Sequence, residues 1–220
     1  MSQQLRLKLQ RPPRHTREEY VRGPSNAEAV AALDSWPCWP GGCLALVGPE
    51  GVGKTHLARV WAAETGATIL SREAPDLAAA AGRPALLEDA DQGVPDEALF
   101  HLINLAAREG GGLLLTARSR PGGWPATLPD LRSRLNALFV AEIEAPDDAV
   151  LEGVLRKLFR DRSIRPPAEV YPYLLRRMPR SIPEAQEVVR RMDEEADGPI
   201  SRLLARAVLE EGSQNLDLFE

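Results

Sequence analysis

Residues 48 to 55 read Gly-Pro-Glu-Gly-Val-Gly-Lys-Thr, which is the spacing G-x-x-x-x-G-K-[ST]. Each residue type in that spacing has a chemical task. Gly48, Gly51 and Gly53, with Val52 among them, let backbone N–H groups turn inward around phosphate oxygens. Lys54 supplies a compact ammonium for β- and γ-phosphates, and the Thr55 hydroxyl can ligate Mg²⁺. His56 opens the helix that must follow, whose N-terminus adds favourable partial charge. Lysine is scarce here: of 27 Lys and Arg residues only Lys8, Lys54 and Lys157 are lysines. In a chain that leans so far towards Arg, a lysine at this position marks a need for a point charge rather than a planar fork.

Acids and a hydroxyl follow at the spacing that a phosphate site requires. Leu86-Leu87-Glu88-Asp89 ends an apolar run in carboxylates, which can hold a hydrated Mg²⁺ and polarise an attacking water. If Glu88 is the first acid, Asp89 is the second; if Asp89 is first, Ala90 fills the second place. Either pairing departs from the common Asp-Asp or Asp-Glu and leaves a solvated acidic turn as the plain alternative. Thr116, at the end of Gly-Leu-Leu-Leu-Thr-Ala-Arg, is placed to touch a γ-phosphate or a water from the next strand. Arg132 and Arg134, in Leu-Arg-Ser-Arg-Leu, precede the last apolar run, where an arginine can project onto a neighbouring subunit's triphosphate or form a surface ion pair. Arg180, in Met-Pro-Arg-Ser-Ile-Pro-Glu-Ala, can reach back to a nucleotide or serve packing.

These residues need elements to hold them. Cys43–Val47, 67–71, 84–91, 112–118 and 137–144 are short apolar runs alternating with helical patterns, which predicts a parallel sheet covered by helices. Ser25-Asn26 is the expected N-cap of a first helix, and residues 55–66, 74–82 and 96–109 are the helices between strands. After Pro146 the strands cease, and helices near 147–162, 167–178, 181–196 and 199–211 are expected to form a small lid. The division is therefore an arm over 1–22, a nucleotide-binding body over 23–146, a lid over 147–211 and a tail over 212–220. The fold class is α/β, a three-layer P-loop body with a C-terminal helical lid.

Composition narrows the class. A 44% hydrophobic share supports a core, and 27% charged residues suit a soluble cytoplasmic protein. No run of about 18 apolar residues exists, and the basic N-terminus has no apolar stretch behind it, so neither a membrane span nor a secretory leader is expected. Cys38 and Cys43 have no His or second Cys pair at zinc spacing and read as reduced thiols. The net charge is −5, yet residues 155–191 carry ten basic residues against four acids. That leaves a DNA-binding accessory role through the lid open, although the acidic total argues against a dedicated DNA binder.

The order of these parts resembles the AAA+ ATPases and, within them, the DnaA-type replication initiators and their truncated relative Hda. The likeness rests on RGPSNAEAV, GPEGVGKTHLA, LLEDAD, LLLTARSRP, LRSRL and MPRSIPEA. It implies an adenine pocket at Tyr20 and Val21, sensor roles for Thr116 and Arg180, and an arginine finger at Arg134. It implies ADP or ATP with Mg²⁺ as ligands and weak hydrolysis by the chain itself. The initiators carry a helix-turn-helix module after the lid; residues 196–220 are too few for it, which favours a regulator. Gln4-Leu5-Arg6-Leu7-Lys8-Leu9 fits the pattern by which proteins similar to Hda bind the sliding clamp of DNA polymerase. An extended strand places Leu5, Leu7 and Leu9 on one face, with Gln4 at the rim. Gln214, Leu216, Leu218 and Phe219 form a related pattern, a second clamp-binding or self-association peptide. The implied function is clamp-dependent stimulation of hydrolysis of DnaA-bound ATP. Contact with DNA would be mainly indirect through the clamp, and a homodimer is possible. A self-sufficient ATPase such as a helicase-loading factor is the alternative.

Overall fold

The computed structural model describes residues 16–216 apart from 109 and 197, with side chains described up to residue 210. Gln4, Leu5, Leu7, Leu9, Leu218 and Phe219 lie outside the described residues, and Gln214 and Leu216 are described in backbone only. Five strands, β1 (Cys43–Val47), β2 (Thr68–Leu70), β3 (Pro84–Leu87), β4 (Gly112–Ala117) and β5 (Phe139–Glu142), form one sheet in the order β2-β3-β4-β1-β5. Every neighbouring pair is parallel.

A strand with helices on both faces must be apolar at every position, because successive side chains point to opposite layers. β1 shows this residue by residue. Leu44 and Leu46 pack with Leu86 and Leu114 against helices α1 (Pro24–Asp34) and α2 (Lys54–Thr65). Cys43, Ala45 and Val47 pack with Leu87, Leu113 and Leu115 against α3 (Asp96–Ala106) and α4 (Pro129–Asn136). The remaining helices, α5 (Asp148–Asp161), α6 (Val170–Leu175), α7 (Ile182–Glu194) and α8 (Arg202–Leu216), gather around a core of their own that includes Phe159, Leu155, Leu174 and Met192. This matches the three-layer body and helical lid expected from the sequence.

Three local expectations are corrected. Residues 74–82 form turns instead of a helix: Asp76 accepts the N–H groups of Ala78 and Ala79 as an N-cap would, but the chain turns left-handed at Gly82 (φ 68°) before a helix can extend. Ser25-Asn26 is not an N-cap: α1 starts at Pro24 with Gly23 as its cap, and Asn26 reaches back to accept the Gly23 N–H at 3.0 Å. The last helix, expected to stop near 211, continues to Leu216. Both cysteines are free, as expected, with Cys38 exposed and Cys43 buried. Among the described residues, no helix is long and apolar enough to cross a membrane.

Candidate functional site

The glycine loop leaves the C-terminal end of β1 and enters α2. Its backbone takes the left-handed region at Gly51 (φ 75°) and Gly53 (φ 100°), where a side chain is disfavoured. Space is closed as well as torsion. A Cβ on Gly51 would lie 2.5 Å from Pro183 Cδ, and one on Gly53 would meet Tyr20 Cε2 at 3.3 Å. A Cβ on Gly48 would run into the carbonyl oxygen of Ile143. Val52 is buried beneath the loop. Lys54 is buried, and its Nζ donates to the carbonyls of Gly48 and Pro49, both at 2.7 Å, so the ammonium is aimed into the loop. Burial pulls its pKa below the ordinary lysine value, with Asp89, Asp91 and Glu50 pulling it back and Arg118 pushing the same way as burial. Thr55 is exposed at the start of α2.

The acids divide into two roles. β3 ends at Leu87, and Glu88 turns towards α2, where its Oε2 accepts Arg59 Nη2 at 2.9 Å. Asp89 is the carboxylate whose field on Lys54 is largest. Its backbone sits at φ 51°, a conformation uncommon outside glycine but tolerated by Asp. Thr116 fixes that turn, because its Oγ1 accepts the Asp89 N–H at 3.0 Å and its carbonyl accepts the Ala90 N–H at 2.8 Å. With 1% exposure, Thr116 thus places the acid that faces Lys54.

The arm before α1 lies across this loop. Tyr20 stands edge-on to His56 at 5.4 Å between ring centres, and His56 Nε2 is 3.0 Å from the carbonyl of Thr16. Burial pushes the Tyr20 hydroxyl up to about 12, with Arg22 acting against it. Val21 packs on α5, where a Cβ on Gly153 would meet Val21 Cγ1 at 2.6 Å. Tyr20, Val21 and His56 are therefore gathered beside the loop. Arg180 is not among them: it pairs with Asp148 at 2.8 Å and donates to the Pro146 carbonyl at 3.4 Å, holding the α6–α7 corner to the start of α5.

Arg134 is also elsewhere. It is exposed on α4, with its guanidinium 5.3 Å from the Phe100 ring centre, and it acts on the charge of Cys43 at the N-terminal end of β1. The loop leaves the opposite end of that strand, about 13 Å away at ~3.3 Å per residue. Among the described residues it has no carboxylate partner, whereas Arg132 donates to the Ala126 carbonyl at 2.7 Å.

Several residues of the site escaped sequence reasoning. Asp91 Oδ2 accepts the N–H groups of Arg118 and Ser119 at 2.9 and 3.3 Å, and Arg118 Nη1 lies 3.1 Å from Glu50 Oε2 on the loop itself. Asp147 Oδ1 caps α5 by accepting the Val150 N–H, while its Oδ2 accepts the Ser25 N–H, each at 2.9 Å. The start of α1, the lid and the end of β5 meet there, since the Glu144 N–H also donates to the Ser25 carbonyl at 3.0 Å. The available signal was the run of acids and arginines after each strand, which carries no indication of the partner.

The residues present fit a nucleotide. Among the described residues Tyr20 Oη, Glu88 Oε1 and Asp91 Oδ1 are buried without hydrogen-bond partners, and each belongs to a residue flanking the loop or the acidic turn. No group of three or more His, Cys, Asp or Glu could hold a metal among the described residues.

Residues 44–104 match the model of the AAA family, the ATPase family associated with various cellular activities. The chromosomal replication initiator protein DnaA of Thermomicrobium roseum is 27% identical over 237 aligned positions, covering 91% of this chain. The chain spans about half of that relative, 50% of its length. Among solved structures, domain III of the Thermotoga maritima replication initiation protein DnaA superposes with a TM-score of 0.73 at 20% identity, covering 91% of this chain and 97% of that one. AMPPCP-bound DnaA from Aquifex aeolicus gives 0.66 at 20% identity, covering 84% and 66%. The Thermotoga maritima RuvB Holliday junction branch migration motor gives 0.67 at 16% identity, covering 90% and 72%. The chain therefore carries the AAA+ fold and contains an AAA ATPase domain related to the DnaA initiator.

Proposed function

We propose that this chain is a nucleotide-binding regulator of replication initiation that acts on the ATP of a DnaA-type initiator through Arg134. The observation that carries the reading is the position of Arg134, exposed on α4, resting on Phe100 and acting on Cys43 at the end of β1 opposite the glycine loop. An exposed arginine with no carboxylate partner among the described residues is open to a triphosphate on another subunit. Its cation–π contact steadies the guanidinium without neutralising it. An arginine finger delivered to a partner raises hydrolysis by about 10³ to 10⁵ in other NTPases.

The chain's own site would hold ADP or ATP, with Lys54 and the loop N–H groups on the phosphates and Tyr20 and Val21 beside the base. Thr55 and an acid of the Glu88–Asp91 turn would share Mg²⁺, which supplies charge neutralisation between the phosphates when bound. Glu88 is engaged by Arg59, which supports weak turnover by the chain alone. The sliding clamp would be engaged through Gln4, Leu5, Leu7 and Leu9, and Gln214, Leu216, Leu218 and Phe219 would form the second peptide.

A second reading, a self-sufficient ATPase, draws support from Asp89, which faces Lys54 with a carboxylate free of side-chain partners among the described residues. One assay separates the two: ATP hydrolysis by a DnaA initiator with this protein and clamp-loaded DNA. We compare wild type, Arg134→Ala and a variant with Gln4, Leu5 and Leu9 changed to Ala. Stimulation lost in both variants supports the regulator. No stimulation by wild type, with steady turnover by this protein alone, overturns it in favour of the ATPase.

A further inference from the structure

We propose that Arg118 reads the γ-phosphate, as an arginine that the loop's own Glu50 holds until a nucleoside triphosphate takes it over. The site would thereby distinguish triphosphate from diphosphate. This rests on the reading that the glycine loop binds a nucleotide.

The sheet register puts Arg118 in position. Val47, the last residue of β1, pairs with Ala117, the last of β4. Gly48 and Arg118 are thus the first residues to leave the two adjacent strands, on the same edge of the sheet. The backbone of Arg118 is then pinned, since the Asp91 carboxylate accepts its N–H at 2.9 Å and the neighbouring Ser119 N–H at 3.3 Å. From that pivot the guanidinium crosses to the loop, where Nη1 meets Glu50 Oε2 at 3.1 Å. The charge of Arg118 acts on Lys54, against the pull of Asp89, Asp91 and Glu50. Two cations therefore share one side of the acidic turn, and an anion between them relieves their repulsion. Lys54 takes the β- and γ-phosphates in such loops, so the second cation beside it lies at the γ end.

The existing partner is easily displaced. Glu50 and Arg118 have side chains 76% and 53% exposed, and a pair so solvated shifts an equilibrium by no more than about fivefold. A phosphate group offers the planar guanidinium two parallel N–H···O bonds, which are shorter and stronger. The Thr116 hydroxyl accepts the Asp89 N–H and keeps one O–H to donate, but it carries no charge with which to read the extra charge of a triphosphate. The residue two positions later takes the role that the sequence pattern alone would give to the threonine.

The test is the affinity of the full chain, with Mg²⁺, for a fluorescent ADP and for a non-hydrolysable triphosphate analogue. Wild type binds both and Lys54→Ala binds neither. Arg118→Ala weakens the triphosphate by about tenfold to a hundredfold and leaves ADP within about twofold. Arg118→Lys keeps the charge without the fork and falls between. Glu50→Gln releases the arginine and strengthens the triphosphate by about two- to fivefold. Equal loss for both nucleotides in Arg118→Ala, or loss for neither, overturns the proposal while leaving the nucleotide reading intact. Failure of wild type to bind either nucleotide overturns both.

Discussion

The hydroxyl of Thr116 accepts the backbone N–H of Asp89 at 3.0 Å, so the end of β4 sets the turn that faces Lys54. Asp89 is held at a positive φ, and the bond satisfies a donor that has no ladder partner beyond β3. Thr116→Val keeps the shape and removes the acceptor. We expect a loss of about 1–3 kcal/mol in urea denaturation from the orphaned N–H. Thr116→Ser, which retains an acceptor, is expected to lose less. A larger loss for Ser than for Val would mean that the methyl packing, and not the hydrogen bond, matters.

Gly51 joins the phosphate loop to the lid. Its φ of 75° disfavours any side chain, and a Cβ would press on Pro183 at the start of α7. Gly51→Ala is expected to cost at least about 1 kcal/mol from the torsion alone. It should also lower affinity for ADP at least tenfold, because the loop cannot keep both its turn and its contact with α7. Isothermal titration of ADP checks this, and unchanged affinity would show that the lid yields.

What could be read from the sequence was what is local. The glycine loop, the strand before it and α2 after it follow from eight consecutive residues and their flanks, since the motif dictates its own backbone. β1 and β4 were legible because strands covered on both faces are continuously apolar. The segment 74–82 misled because alanines favour a helix and Asp76 caps its start, while the left-handed Gly82 follows only six positions after that cap. Ser25 and Asp147 are 122 positions apart, and nothing in either neighbourhood announces the other. Arg118 and Glu50 are likewise surface charges until the register of β1 and β4 brings them together.

The two thiols should differ in reactivity. Cys38 is exposed, whereas burial beneath α3 pushes the Cys43 thiol up to about 12, against the pull of Arg134. The thiolate is the nucleophile, so Cys43 is inert at pH 8 in the folded chain. We expect a chromogenic disulfide to titrate one thiol per chain in native protein and two in denaturant. Cys38→Ser should abolish the native reaction. Two fast thiols in the native protein would mean that the α3 layer opens readily.

Asp147 makes the joint between α1, sheet and lid dependent on acid. Burial opposes its charge, but the N–H groups of Val150 and Ser25 more than offset this and hold the carboxyl below the usual aspartate range. A carboxyl with a depressed folded value stabilises the protein fully above the unfolded value, near 4, and loses that contribution as pH falls through the folded value. Asp147→Ala removes an N-cap and leaves the Ser25 N–H without its acceptor, a cost of about 1–2 kcal/mol at pH 7. The gap between wild type and variant in urea denaturation should therefore be wide at pH 7 and close in acid. Asp147→Asn, which keeps one acceptor oxygen and no charge, should sit between them at pH 7 and show no narrowing of its own from this site. A gap for Asp147→Ala that is as wide in acid as at neutral pH would assign the loss to side-chain packing, and the carboxylate would have no part in tying α5 to α1.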